Sequence, residues 1–135
     1  MAISISKCTG NARVTSTHNA SGQVTITDAV KKSGGLGEYQ TPVDVLAQAL
    51  ANCALTVMAI RAQKDGLDLT GCYAEIGDVE EDMETFKVTK LNVVFHLKAD
   101  LDAKTRKKLE MFSHKGCFVG NTLTAEKNFT YIYDV

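Results

Sequence analysis

Four cysteines, Cys8, Cys53, Cys72 and Cys117, are the residues of this chain with the clearest chemical potential. A thiol that loses its proton is a nucleophile, and an oxidant can carry it through a sulfenic acid to a disulfide. The four are widely scattered and contain no Cys-x-x-Cys pair, which argues against a zinc ribbon and against a dense secreted disulfide framework. His18, His96 and His114 share no spacing, so no metal site is expected, and no cofactor is implied. Gly34, Gly35 and Gly37 are too loosely arranged for a phosphate loop. Thiol chemistry in a reducing compartment is what remains. Cys8 and Cys72 sit in strand-like runs and read as structural, with Cys72 able to substitute as a resolving thiol if geometry favoured it. Cys53 lies in a run of alanine and leucine, where a cysteine is often a small core residue.

The element that must position Cys53 is the stretch from Thr41 to Gln63. Thr41 can cap exposed amides, and Pro42, the only proline, sits where a helix start tolerates one. Leu46, Ala49, Leu50, Cys53, Val57 and Ile60 form an apolar face at helical spacing. Asp44, Gln48, Asn52 and Thr56 leave one narrow polar stripe on an otherwise apolar rod. Val45 to Ile60 reads as too short and too interrupted to span a bilayer, so burial in protein is expected, with Cys53 inside a core. The helix should end near Lys64-Asp65-Gly66.

Around it, Ile3 to Cys8, Arg13 to His18 and Gln23 to Asp28 read as a meander of three strands. A mobile loop, Lys31 to Gly37, leads into the helix. Beyond it, Leu69 to Ile76 and Thr85 to Lys98 read as strands joined by an acidic turn, Gly77 to Asp82, and Leu91, Val93, Phe95 and Leu97 share a face that should cover the helix. A second helix starts at Asp100 or Asp102 and runs to about Ser113, with Leu101, Thr105, Leu109 and Phe112 near one side. A short helical turn over Cys117 to Leu123 precedes a closing strand, Asn128 to Asp134. This order predicts α+β, a largely antiparallel sheet packed on one very apolar helix, in a single domain over residues 1–135. One small sheet covers only one side of such a rod, so a homodimer is expected.

With 15 basic and 16 acidic residues the net charge is −1, which offers no pull toward nucleic acid or an anionic membrane. The opening MAISISKCTGNAR turns polar after a few residues and is not a secretory leader, so a cytoplasmic protein with small-molecule or protein partners is expected.

Two segments carry a resemblance. TPVDVLAQALANC places Cys53 eleven positions after Pro42, and Gly116-Cys117-Phe118-Val119-Gly120-Asn121-Thr122-Leu123 forms the second. Together they resemble the OsmC/Ohr family of osmotically inducible and organic-hydroperoxide-resistance proteins, over nearly the whole chain. That family usually has Cys-Pro-Val and then Asn-Thr-Leu in the second segment, so Phe118 stands in place of proline. In its hydroperoxide-resistance branch a glutamate follows the first proline, a position held here by Val43, while Asp44 matches the acidic position of other branches. The resemblance implies an intertwined homodimer and thiol-dependent reduction of organic hydroperoxides, and possibly hydrogen peroxide, in oxidative or osmotic stress defence. Cys53 would attack the peroxide, Cys117 would resolve the sulfenic acid, and an external thiol or dithiol would reduce the disulfide. Arg13, in the region where that branch has a cysteine-facing arginine, and Asp44 complete the expected catalytic set. Position at a helix N-terminus is expected to favour the Cys117 anion. An apolar pocket lined by Leu50, Val57, Met58 or residues of a partner chain would admit the alkyl group. The alternative is a binding or carrier protein, holding a small hydrophobic or thiol ligand in the dimer cleft without turnover.

Overall fold

A computed structural model describes all 135 residues, which form two compact units, Met1–Val45 and Leu46–Val135. In the first unit β1 (Ser4–Gly10), β2 (Arg13–His18) and β3 (Val24–Thr27) form an antiparallel meander in that order. The bounds of β2 are those expected, and Asn11 and Ala12, both with positive φ, make the turn before it. A single 3-10 turn, Lys31–Ser33, interrupts the glycine-rich loop. Gly35 is required there because a side chain would drive its Cβ to 2.0 Å from the Ala29 carbonyl oxygen.

Helix α1 (Pro42–Lys64) begins with a reciprocal cap. The Asp44 amide donates to Thr41 Oγ1 at 3.1 Å, and the Thr41 amide donates to the Asp44 carboxylate at 2.9 Å. The alanine and leucine that follow are strong helix formers, which carries the helix through 23 residues. That length exceeds the Val45 to Ile60 stretch considered above and would suffice to cross a bilayer by length and composition alone. Its buried residues, however, are packed in protein: Ala47, Leu50, Ala51, Ala54, Met58 and Ala62 belong to the core of the second unit.

This face differs from the expected one. Only Leu50 is common to both, and the buried side is displaced by one residue along the helix, a rotation of about 100°. The reason is steric. A helix apolar nearly all round has no side that its pattern can single out, and packing chose the alanine-rich side, which lets large sheet residues approach closely.

The sheet of the second unit has the order β4-β5-β6, with β4 (Tyr73–Asp82) antiparallel to β5 (Lys87–Leu97) and β6 (Glu126–Tyr133) parallel to it. Leu91, Val93, Phe95 and Leu97 are buried on one face, as their alternation predicts. Phe95 meets Phe129 edge-on at 5.1 Å and stacks on Tyr131 at 5.5 Å. The segment read as an acidic turn is instead the end of β4, which reaches its partner through two irregularities in register. Its charges are matched across the strands, Glu80 against Lys90 and Asp82 against Lys87, and the turn falls later, between Asp82 and Lys87.

The parallel crossover from β5 to β6 contains α2 (Ala103–Lys115) and α3 (Phe118–Thr122). Asp102 caps α2 by accepting the Thr105 amide at 2.7 Å. The predicted α+β class is found, with two three-stranded sheets and three helices.

Candidate functional site

The site is built by α1 and the corner between α2 and α3. Leu50, Cys53 and Val57 lie at i, i+3 and i+7 and so share one side of α1. The two glycines flanking Cys117 rest on that side. A Cβ on Gly116 would lie 3.7 Å from Val57 Cβ, and one on Gly120 would lie 3.4 Å from Leu50 Cδ1 and 3.3 Å from Cys117 Sγ. Contacts this close are available because neither residue has a side chain. They set Cys117 opposite the middle of the Leu50-to-Val57 stretch, where Cys53 is, close enough for the Cys53 sulfur to act on the Cys117 thiol. Both are free thiols.

Other contacts hold the corner in place. The Gly116 amide donates to the Phe112 carbonyl at 2.9 Å, and Asn121 Nδ2 donates to the Lys115 carbonyl at 3.1 Å. One turn earlier, the buried Ser113 hydroxyl donates to the Glu110 carbonyl at 2.6 Å and pairs with the Tyr131 hydroxyl of β6. The end of α2 is therefore tied to the sheet before the chain turns to Cys117.

The two thiols are buried to different depths, and Cys53 is less enclosed than its expected place inside a core implies. Cys53 is half-buried at the border of the core, whereas Cys117 has no exposed surface. Rotation of α1 by one residue accounts for the first, and the close fit of Gly116 and Gly120 for the second. Cys117 is the N-cap of α3, and its sulfur accepts the Gly120 amide at 3.2 Å, with the Val119 amide nearby. Those amides favour an anion, as expected. Burial outweighs them, and with the neighbouring Cys53 sulfur it pushes the Cys117 thiol up from its ordinary value, so Cys117 holds its proton. Phe118 leaves this arrangement undisturbed, since its side chain is 87% exposed. Leu50 and Met58, expected in an open pocket, are sealed in the core, and of the three named residues only Val57 is half-exposed.

Arg13 and Asp44 belong to the first unit, Cys53 and Cys117 to the second. Arg13 opens β2, and its Nε and Nη2 donate to the two oxygens of Asp28 at 2.7 and 2.9 Å. Nη2 also donates to Glu38 at 3.1 Å, and the guanidinium lies over the Tyr39 ring at 4.6 Å. Asp28 is 1% exposed. The Arg13 guanidinium holds its carboxyl down to about 2 against the opposing cost of burial, with help from the Glu38 and Tyr39 amides. Asp44 spends its carboxylate on the Thr41 cap. Sequence reasoning missed Asp28, which no spacing marks as a partner of Arg13, and the Gly120 amide, whose role depends on where α3 starts.

Away from the thiols, an apolar hollow of about 330 Å³ is lined by Leu46, Phe86, Val88, Leu91, Leu123 and Ala125, with Lys87 also on its wall. Cys72, by contrast, is half-buried ahead of β4, its thiol pushed up by burial, and Cys8 is exposed on β1.

No curated protein sequence matches the chain. Among solved structures it is similar to a protein of Psychrobacter arcticus provisionally described as an osmotic stress induced and detoxification response protein, with a TM-score of 0.89 and 28% identity over 99% of this chain and 96% of that one. The organic hydroperoxide resistance protein OhrB of Bacillus subtilis matches at a TM-score of 0.67 and 17% identity, over 98% of each chain. An organic hydroperoxide resistance protein of Elizabethkingia anophelis matches at 0.73 and 12%, over 99% and 98%. At these last two identities the likeness is one of fold. The model of the OsmC-like protein family matches residues 35–132, a span that holds both cysteine segments, and the chain therefore belongs to that family.

Proposed function

We propose that this protein is a cysteine-based peroxidase that reduces organic hydroperoxides in the cytoplasm, acting as a homodimer. The observation that carries the reading is the meeting of two free thiols from distant segments, one half-exposed and one sealed. In the first step the Cys53 thiolate attacks the terminal oxygen of the hydroperoxide. The O–O bond breaks, the sulfur gains the hydroxyl oxygen as a sulfenic acid, and the alkoxide leaves and takes a proton from water. In the second step the Cys117 sulfur attacks the Cys53 sulfenic acid, an S–S bond forms, and hydroxide leaves with the Cys117 proton as water. Two thiols of an external reductant then restore the pair. Arg13 and Asp44 have supporting roles, Arg13 by holding the segment Asp28 to Tyr39 and Asp44 by fixing the first turn of α1.

The experiment is single-turnover consumption of cumene hydroperoxide by the reduced protein, with mass spectrometry of the products. Wild type should consume the peroxide and end as a Cys53 to Cys117 disulfide. Cys53→Ser should lose consumption altogether, and Cys117→Ser should stop at a Cys53 sulfenic acid. A reduced wild type that consumes no hydroperoxide would remove the enzyme reading. The apolar hollow beside Leu46 and Leu123 favours a second reading, a carrier of a small hydrophobic ligand. Ligand retained through native mass spectrometry, with both thiols slow toward peroxide, would favour that reading.

A further inference from the structure

We propose that the cleft between the end of α2, the end of α3 and the start of β6 is a binding site for a small organic carboxylate, with Lys127, His114 and Asn121 as the groups that hold it. The site adjoins the thiol corner but does not depend on the peroxidase reading.

A cavity of about 240 Å³ lies there, lined by His114, Gly120, Asn121, Leu123, Lys127 and Phe129. Its donors have capacity left. The Lys127 ammonium gives one of its three hydrogens to the Leu123 carbonyl at 2.5 Å, and Asn121 Nδ2 gives one of its two to the Lys115 carbonyl at 3.1 Å. The His114 ring stacks on Phe129 at 4.5 Å, and an imidazole in either tautomer has an N–H to donate. Ser113 also reaches the wall, but its hydroxyl is already bonded to the Glu110 carbonyl and the Tyr131 hydroxyl.

Charge sets the sign of the ligand. No ion pair in the chain involves Lys127 or His114, and no acidic residue lines the cavity. The acidic residues of the same elements are occupied or turned away. The Glu110 carboxylate accepts the Tyr133 hydroxyl at 2.7 Å, and Glu126, next to Lys127 in the strand, lies on the opposite face of β6. A half-buried ammonium without a counterion is costly, and the Leu123 carbonyl supplies only a partial charge in its place. Partial burial, and then the Lys127 charge, lower the His114 pKa, a competition that a bound anion relieves.

Shape sets the rest. Leu123 and the stacked His114 and Phe129 rings form an apolar wall, which suits a short alkyl or aryl group and offers nothing to a bare inorganic oxyanion. The volume falls below the range of about 300–1,000 Å³ usual for drug-sized ligands, so the carboxylate is a small one. Gly120 belongs both to this wall and to the thiol corner, where its amide meets Cys117 Sγ at 3.2 Å. Cys117 itself has no exposed surface, so the cavity does not open on it.

The test uses the full reduced chain with benzoate as the probe, binding being followed by isothermal titration calorimetry and located by the NMR shifts of the His114 ring and the Asn121 side-chain amide. Benzoate should bind at millimolar concentration or below. Benzamide, which has the same shape without the charge, should bind at least about tenfold more weakly. Lys127→Met keeps the apolar stem and should lower benzoate affinity by about tenfold or more, whereas Lys127→Arg should retain it. The benzamide comparison is made on wild type and stands even if a variant fails to fold. No benzoate binding at millimolar concentration would overturn the proposal, as would equal affinity for benzamide, affinity unchanged in Lys127→Met, or shifts confined to other residues. Inorganic phosphate separates a carboxylate site from a bare oxyanion site: it should bind more weakly than benzoate, and phosphate bound as tightly would overturn the assignment to an organic ligand. No step of the test reads hydroperoxide turnover. Failure of the peroxidase reading would leave this site standing, and loss of the site would leave that reading untouched.

Discussion

At the scale of single residues, polar groups taken out of water have partners, and the partners decide their charge. Asp28 is buried yet anionic because a guanidinium and two amides meet it. His96 is the other buried polar side chain with a strong charge environment. It lies on the face of β5 opposite Phe95, with Nδ1 2.9 Å from Asp134, Nε2 3.3 Å from Glu75, and the Tyr73 ring stacked on it at 4.3 Å. Asp134 chiefly, then Glu75, raises the His96 pKa above its ordinary value despite burial. The protonated form is thus favoured by folding. Its stabilising contribution is complete below the unfolded value and is lost as pH rises through the raised folded value. Denaturant midpoints of wild type should therefore fall, relative to those of His96→Gln, which lacks this titration, as pH rises from the ordinary histidine range through the raised folded value. Parallel profiles for the two proteins across that window would refute the assignment. The pairing was not legible in the sequence, where the three histidines merely looked scattered; register across β4, β5 and the chain end created it.

At the scale of elements, much was legible. The bounds of β2, the cap and proline at the start of α1, the acidic cap of α2 and the short helix after Cys117 all follow from local chemistry, and local chemistry is carried by neighbouring residues. Two readings failed where neighbours are not enough. The acidic segment of β4 has poor intrinsic strand character, and only the lysines of β5 opposite it make a strand there favourable. The buried side of α1 was misread because its pattern is nearly uniform round the axis. The observed side carries a prediction. Met58 is fully buried, and Met58→Ala should destabilise the protein by about 2–5 kcal/mol. Urea unfolding should show this as a lower midpoint at unchanged slope, and an unmoved midpoint would mean that Met58 does not face the core.

At the scale of the whole molecule, the open question for experiment is assembly. In the most apolar 18-residue window of α1, 28% is buried within the chain. Strand β1, an edge strand, is exposed along its length, with Ile5 at 59% exposure and Ile3, just ahead of the strand, at 78%. Edges and apolar surfaces of this kind are covered in stable proteins, and a second copy of the chain is the partner the sequence reading anticipated. Sedimentation velocity at micromolar concentration should give twice the chain mass. A monomer at every concentration would count against the dimeric part of the proposed function.

By itself the sequence determined the inventory: an α+β chain, a long apolar helix with a defined start, and two cysteine segments that both fall within the span matched by the OsmC-like family. Propensity, capping and spacing act over a few residues, so they can be read from the chain directly. Tertiary structure alone decided which thiol is open and which is sealed. That outcome depends on the rotation of α1 and on two glycines, Gly116 and Gly120, that let a distant corner lie against Val57 and Leu50. Burial is a property of surfaces brought together from far apart in the chain, and no short-range pattern in either segment encodes it.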